Sequence, residues 1–367
     1  VSIQTDGLVP IDSYQVKILD SNGEIIAQQA VSINTQQIQI PVKNIHAWTA
    51  ESPTLYRCIV ELGDDTFATN FGFRTIRFDQ NNLYINDRKV FLRGLNRHQC
   101  YPYIGYAAVD SLQEEDVRIL KEELHVNAVR TSHYPQSQSF IDACDRYGLY
   151  VFTEIPGWQH IGDQTWKQQA IRNTEDMVLQ YRNHPSIILW GVRINESLDD
   201  DELYAKTNEV ARALDPSRPT AGVRYLTKSH LLEDIYTFND FSHHGDNKGA
   251  LSKSEVMVDT HHPLIISEAN GHMFPTKSFD TQARRQEHAL RHARVFSDAM
   301  ADHQHTGVFQ WCMFDYATHK DFGSGDRICY HGVMDSFRNP KLAASVYASQ
   351  QDEEPILEIS TSMDIGD

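Results

Sequence analysis

The first 78 residues alternate polar and apolar positions in short runs that turn residues separate. The clearest runs are 14–18, 37–41 and 56–61, with turn chemistry at 21–23 and 63–65. A period of two residues buries one face of each run and leaves the other face in water. The pattern therefore predicts a small antiparallel β-sandwich over residues 1–78.

From residue 90 the pattern changes to short apolar runs separated by longer amphipathic segments. This alternation is typical of parallel strands joined by crossover helices, and eight strands close a (β/α)8 TIM barrel. We expect the barrel over residues 79–352 and a tail, or the start of a further domain, over 353–367. The predicted strands are 90–95, 128–131, 150–153, 187–192, 220–223, 234–239, 264–267 and 308–314.

Helical periodicity is clear in some of the intervening segments and weak in others. Ser111 and Glu114 have the spacing of a capping box, which predicts a helix over 111–124. A longer helix is predicted over 281–301. Between residues 227 and 260 there is little helical periodicity.

Composition and charge exclude several function classes. The chain has 367 residues, 40% of them hydrophobic, and no apolar run long enough to cross a bilayer. A net charge of −17 disfavours nucleic acid and fits a neutral substrate better. Five widely spaced cysteines suggest reduced buried thiols and no zinc site. The start of the sequence leaves cytoplasmic and exported locations open, with any signal segment outside this chain.

Two glutamates stand where predicted strands end. The fourth strand runs into Asn195 and Glu196, and the seventh ends directly at Glu268. Active sites of such barrels lie at the carboxyl ends of the strands, and glycoside hydrolysis needs two carboxyl groups. Each glutamate alone could be an ordinary surface acid. The pair together predicts a glycosidase, and a carboxyl separation of about 5–5.5 Å would mean retention of configuration.

Two segments carry a family resemblance. Residues 91–98 (FLRGLNRH) and 183–196 (NHPSIILWGVRINE) are similar to the first-strand and acid/base signatures of glycoside hydrolase family 2. The resemblance covers nearly the whole chain and implies an immunoglobulin-like sandwich before the barrel. It also implies that Glu196 is the general acid/base, that Glu268 is the nucleophile and that Asn195 binds the sugar 2-hydroxyl.

The resemblance assigns supporting roles to other strand-end residues. His98 and His133 match positions that line the sugar pocket, and Arg93 matches an arginine that holds the nucleophile. Trp311 offers a flat face to a sugar ring, although barrel packing would explain it equally well. Glu154 is expected to bind a sugar hydroxyl or to pair with Arg130 or Arg193.

The sequence also departs from the family pattern. Arg193 stands where a small residue is usual, and we expect it to orient a carboxylate or shape the substrate site. Phe241 replaces a tyrosine that bonds the nucleophile, so a hydroxyl partner for Glu268 either comes from elsewhere, for example from Tyr236, or is absent. Trp158 and His160 stand at the magnesium-binding positions of some β-galactosidases, so no metal and no cofactor are expected. The jelly roll that usually precedes the sandwich is not found in this sequence.

The last barrel segment gives the best indication of substrate. Residues 328–341 are similar to bacterial members called β-galactosidases, so β-D-galactosides are favoured. The alternative is a β-glucuronidase or β-galacturonidase, with Arg193, Arg327 or Lys341 as the cation. An alternative of another class is a non-catalytic carbohydrate-binding module, against which the intact Glu196 and Glu268 argue. A homo-oligomer is compatible with the sequence.

Overall fold

Antiparallel sheets precede a closed barrel in the chain. The computed structural model describes residues 1–3, 12–35, 37–318, 324–351 and 354–360. The first sheet comprises β1 (Ser13–Leu19), β2 (Ile25–Ser32), β3 (Tyr56–Leu62) and β4 (Asp65–Phe71). Its order is β2-β1-β3-β4, and alternate residues of β1 (Tyr14, Val16 and Ile18) are buried. The predicted antiparallel β-structure is confirmed, although run 37–41 contributes only an isolated bridge between Gln37 and Ser2.

A small three-stranded sheet leads from the first sheet into the barrel. It comprises β5 (Ile76–Phe78), β6 (Leu83–Ile85) and β7 (Arg88–Val90). This sheet spans the boundary predicted after residue 78. The domain boundaries at 78 and 353 stay predictions, and the tail is described only at residues 354–360.

Eight parallel strands close the barrel. They are β8 (Leu92–Arg97), β9 (Ala128–Thr131), β10 (Tyr150–Glu154), β11 (Ile187–Gly191), β12 (Thr220–Arg224), β13 (Ile235–Asp240), β14 (Leu264–Ala269) and β15 (His305–Gln310). Their order is β10-β11-β12-β13-β14-β15-β8-β9. One buried cluster unites residues of all eight strands, among them Leu92, Ala128, Phe152, Ile265 and Phe309. The (β/α)8 prediction is thus confirmed, and the largest error is the last strand, which ends at Gln310 and not at 314.

Helices lie between most of the barrel strands. They are α1 (Asp110–Arg118), α2 (Gln138–Tyr147), α3 (Gln164–Tyr181), α4 (Asp201–Leu214), α5 (Lys253–Val256), α6 (Gln282–Ala301) and α7 (Ala344–Ala348). A π-helix (Ile119–Glu123) continues α1, a 3-10 turn (Gly271–Met273) follows β14, and two short strands, β16 (Tyr316–Ala317) and β17 (Ile328–Cys329), pair after β15. No described helix is long and apolar enough to span a bilayer.

The helix starts test the capping predictions. Ser111 lies inside α1, whose N-cap is Val109 without a side-chain bond, so the predicted capping box with Glu114 is wrong. A cap must precede the first helical turn, and the helix begins before Ser111. Thr281 does cap α6, accepting a bond from the Arg284 backbone. The weak periodicity before residue 260 corresponds to the four-residue α5.

Trp48 connects the segment before the barrel to the barrel itself. Its side chain is fully buried, its indole nitrogen donates to the Asp145 carbonyl at 2.9 Å, and its ring lies edge-on to Tyr150. Lys121 adds bonds to the carbonyls of Ala50 and Gly148. These contacts fix residues 48–50 against α2 and β10.

Candidate active site

Carboxyl groups collect at the carboxyl-terminal ends of the barrel strands. Glu154 is the last residue of β10, and Glu196 follows β11 by five residues. Glu268 lies within β14, which extends one residue beyond it. The ends of parallel barrel strands share one face, the face on which enzymes of this architecture hold their active sites.

A fully buried arginine on β9, Arg130, joins two of these carboxyls. Its Nη1 donates to Glu268 Oε1 at 2.6 Å, and its Nε and Nη2 donate to Glu154 at 2.7–3.0 Å. Nη1 also donates to Asn96 at 2.8 Å, and Nη2 to Asn195 at 2.7 Å. Because a guanidinium presents its donors in a rigid planar fork, one side chain fixes four others relative to one another.

Arg93, expected from the sequence to hold the nucleophile, lies on the face of β8 opposite to the face that bears Asn96. The β8–β9 register places Asn96 beside Arg130, and these two side chains share a face. Side chains alternate along a strand, so Arg93, three residues before Asn96, points the other way. Its guanidinium donates to the carbonyls of Gln350 and His125. The prediction for Arg93 is therefore wrong, and Arg130 makes the contact.

Asn195 is buried immediately before Glu196. Its Oδ1 accepts from Arg130, which fixes the orientation of the amide. Its Nδ2 has no hydrogen-bond partner among the residues that the structure describes. A buried donor without a partner costs about 1–3 kcal/mol, which a ligand hydroxyl in the site would recover.

Glu196 is linked to the strand that carries Glu268. Asn239 on β13 donates from Nδ2 to Glu196 Oε1 at 2.9 Å. Ser267, next to Glu268, donates to Asn239 Oδ1 at 2.8 Å. Asn239 and Glu268 are also neighbours in the β13–β14 register. The two predicted catalytic carboxyls are therefore positioned by one connected set of strands.

The rings of three predicted site residues pack together. Trp311, directly after β15, stacks on His133 with centroids 5.2 Å apart and 5° between the planes. His98 lies edge-on to Trp311 at 5.2 Å and also contacts Tyr134 and Tyr316. Burial, reinforced by neighbouring positive charge, lowers the pKa of both histidines well below 6.5. Both imidazoles are thus neutral at pH 7, each with one nitrogen that donates and one that accepts.

Arg193 has partners other than those predicted. It is buried, its Nη2 donates to Asp199 at 2.6 Å, and its guanidinium lies over the Tyr204 ring at 4.7 Å. In the described part of the chain it makes no hydrogen bond to Glu154, Glu196 or Glu268. Its contacts stabilise the loop after β11 and do not support the predicted substrate role.

Tyr236, suggested as the source of the missing hydroxyl, does not bond the nucleophile. Phe241 packs edge-on against His272, with ring centroids 4.5 Å apart. Tyr236 lies under the Arg224 guanidinium at 4.6 Å, and no hydrogen bond joins it to Glu268 within the described ranges. The suggestion that Tyr236 replaces the family tyrosine is therefore wrong.

Burial raises the pKa values of the carboxyls that Arg130 joins. The pKa of Glu268 rises to about 8 through burial, against the lowering effect of Arg130 and with a further rise from Glu196. Burial raises the pKa of Glu154 to about 7, again opposed by Arg130. Both carboxyls that face Arg130 therefore hold a proton more readily near neutral pH than a solvent-exposed glutamate does.

Among the described residues, one group of side chains could hold a metal ion, at the other end of the barrel. It consists of Asp142, Asp145 and His184. His184 Nδ1 lies 2.6 Å from Asp145 Oδ2, and Asp145 Oδ1 accepts from the Ser186 backbone at 3.0 Å. Ser186 precedes β11, whereas Glu196 follows that strand. These hydrogen bonds explain the cluster without an ion.

Comparison with known protein families accounts for nearly the whole chain. The model for "Glycosyl hydrolases family 2, TIM barrel domain" matches residues 76–354, and the model for "Glycosyl hydrolases family 2" matches residues 11–74. The chain belongs to glycoside hydrolase family 2. The resemblance seen in residues 91–98 and 183–196 is thereby confirmed.

Two relatives of this family 2 chain are bacterial β-galactosidases. The enzyme of Thermoanaerobacterium thermosulfurigenes is 50% identical over 363 residues, covering 94% of this chain and 50% of that protein. The enzyme of Thermoanaerobacter pseudethanolicus is 46% identical over 346 residues, covering 92% and 46%. The chain thus spans about half the length of the curated relatives it matches.

Solved structures show the same fold. An FMN-binding β-glucuronidase from Facaelibacterium prausnitzii L2-6 has a TM-score of 0.85 and 24% identity, over 94% of this chain and 58% of that chain. A β-galacturonidase from Eisenbergiella tayi has a TM-score of 0.77 and 24% identity, over 92% and 66%.

Several residues of this family 2 site have no assigned role in the sequence. From the sequence, Arg130 is one of two candidate partners of Glu154. In the structure it joins Glu154 to Glu268. Asn96 and Asn239 have no sequence signal that separates them from ordinary strand residues. For Arg130 a signal exists, because a charged residue inside the apolar run 128–131 requires a carboxylate partner.

Proposed function

We propose that this chain carries the catalytic centre of a retaining exo-β-glycosidase that releases terminal β-D-galactose. In the first step Glu268 attacks the anomeric carbon while Glu196 gives its proton to the glycosidic oxygen, and a covalent glycosyl-enzyme forms. In the second step Glu196 takes a proton from water, which attacks the same carbon and releases Glu268. Two inversions at that carbon retain the β configuration.

The observation that carries this proposal is the fork of Arg130. It bonds Glu268 at 2.6 Å and so opposes the effect of burial, which raises the pKa of that carboxyl; the bond stabilises the ionised form that a nucleophile needs. It also bonds Asn195 Oδ1, which leaves the buried Nδ2 for a sugar hydroxyl. This division of roles supports a catalytic centre over a non-catalytic carbohydrate-binding module.

Two observations favour galactosides: two relatives are named β-galactosidase, and the basic side chains considered for binding a uronic acid are paired with aspartates or exposed. Lys341 is buried and bonds Asp315 at 2.5 Å. Arg193 is paired with Asp199 at 2.6 Å. Cations already neutralised in this way are poor partners for the carboxylate of a uronic acid, and Arg327 is exposed. Glucuronides and galacturonides therefore serve as the comparison substrates.

The test is a panel of 4-nitrophenyl β-glycosides with wild-type protein, Glu268→Ala and Glu196→Ala. We expect the galactoside to be hydrolysed fastest, and both variants to be impaired. Azide then separates the two roles. It should enter from the face vacated by the nucleophile in Glu268→Ala and give the α-galactosyl azide, whereas Glu196→Ala should give the β-azide. No turnover of any sugar by the wild type would favour the binding module.

A further inference from the structure

Both carboxyl oxygens of Glu196 accept hydrogen bonds. Asn239 on β13 donates to Oε1 at 2.9 Å. The indole nitrogen of Trp158 donates to Oε2 at 3.0 Å, and the amide of Gln159 donates to the same oxygen at 3.1 Å. The two oxygens of the carboxyl group are therefore not equivalent.

The loop that presents Trp158 and Gln159 is tied to the end of β11. Gln159 N donates to the Asn195 carbonyl at 2.7 Å, and Trp158 forms a parallel bridge with Asn195. Gly157 N donates to the His133 carbonyl at 3.1 Å. Gly157 has a φ of 148°, a backbone conformation that residues with a Cβ rarely adopt, and its Cα packs close to the Ile194 side chain. The two donors thus have a fixed position relative to Glu196.

Each carboxyl oxygen has about two positions that can accept or carry a hydrogen. Among the residues that the structure describes, Oε2 accepts from Trp158 and Gln159 and so uses both positions, whereas Oε1 accepts from Asn239 and uses one. The remaining position on Oε1 is therefore the place for a proton. Glu196 itself has a left-handed backbone with φ of 53°, so its side chain starts from a defined and uncommon direction.

We propose that Trp158 and Gln159 are positioning residues that act through Glu196: they hold Oε2 so that Oε1 carries the catalytic proton toward the leaving group. This inference rests on the proposed function. In the first step the proton moves from Oε1 to the glycosidic oxygen as the bond from that oxygen to the anomeric carbon breaks. The leaving group departs as a neutral alcohol, and Glu196 is left ionised with both donors still on Oε2.

The test compares leaving groups that differ in their need for a proton. A 2,4-dinitrophenyl galactoside departs as a stable anion and needs no acid, whereas methyl β-galactoside and lactose need one. We expect Trp158→Phe, which keeps the ring and removes the N–H, to lower kcat/KM for methyl β-galactoside and lactose about tenfold. The value for the dinitrophenyl substrate should change less than about twofold. Gln159→Ala should show the same selectivity with a smaller loss.

Trp166→Phe is the matched control, since Trp166 lies on α3, contacts His160 and, among the described residues, donates no hydrogen bond to Glu196. Gln159 is exposed, so its variant should fold normally whatever happens to Trp158→Phe. Equal losses on all substrates in both variants would mean a merely structural role. Unchanged rates on all substrates would mean no role, and either result overturns the inference.

Glu196→Ala separates the inference from the function on which it rests. If Glu196 is the acid, kcat/KM of that variant falls far more for methyl β-galactoside and lactose than for the dinitrophenyl substrate. Equal losses there would overturn the acid role of Glu196 itself. Suppose that Glu196→Ala loses activity selectively on methyl β-galactoside and lactose, while Trp158→Phe and Gln159→Ala do not. That result would overturn only the positioning proposal.

Discussion

Replacing Arg130 by lysine should nearly abolish catalysis while keeping the positive charge. Lysine offers its donors from a single nitrogen and cannot reach Glu154, Glu268 and Asn195 together. The wild-type bonds to Glu268 and Asn195 are 2.6 and 2.7 Å long. Hydrogen bonds to charged groups contribute about 1.5–3 kcal/mol each. Losing two of them costs roughly 3–6 kcal/mol, or about 10²–10⁴-fold in kcat/KM.

The assay is kcat/KM for 4-nitrophenyl β-galactoside, with circular dichroism to confirm that each variant is folded. Arg93→Lys is the matched control, because Arg93 is the arginine that the sequence resemblance selects but that faces away from the site. Its activity should stay within about threefold of the wild type, as expected for a side chain outside the reaction. A large loss in Arg93→Lys together with normal activity in Arg130→Lys would refute the assignment of faces on β8 and β9.

Three further predictions concern the nucleophile, the substrate and the fold. The pKa of Glu268 is raised to about 8, and a nucleophile reacts in its ionised form, so kcat/KM for the dinitrophenyl galactoside should fall as pH decreases through about 8. A decrease of kcat/KM only near pH 4.5, the ordinary pKa of a glutamate, would contradict this prediction. Asn195→Ala should lower kcat/KM about 10²-fold for galactosides but little for their 2-deoxy analogues, since the lost bond is to the 2-hydroxyl; equal losses would exclude that contact. Trp48→Ala should lower the free energy of unfolding by about 3–5 kcal/mol in denaturant titrations, whereas Tyr103→Ala, 97% exposed, should change it by less than about 0.5 kcal/mol.

The barrel could be predicted from the sequence because its strands are continuous apolar runs. Both faces of a parallel barrel strand are buried, so a run such as 187–192 is recognisable without knowledge of its neighbours. The carboxyl ends of those runs then identify Glu196 and Glu268 as candidates, because the active sites of such barrels lie at the carboxyl ends of the strands.

The partners of these residues could not be predicted in the same way. Whether Arg93 or Arg130 faces the site depends on the register between β8 and β9, which a single strand sequence does not specify. The contacts of Trp158 and Gln159 depend on a loop in which Gln159 has a left-handed backbone with φ of 60°. Such a conformation is set by tertiary contacts and not by local propensity.

If Glu268 is the nucleophile, it becomes covalently bound to the sugar during turnover, and trapping of this glycosyl-enzyme is the decisive experiment. A 2,4-dinitrophenyl 2-deoxy-2-fluoro-β-galactoside should form the glycosyl-enzyme quickly and release it slowly, because fluorine destabilises both transition states while the good leaving group rescues the first. Mass spectrometry of the digested protein should then find one fluorosugar per chain, on the peptide that contains Glu268. A fluorosugar on Glu154, Glu196 or any other residue would contradict the account.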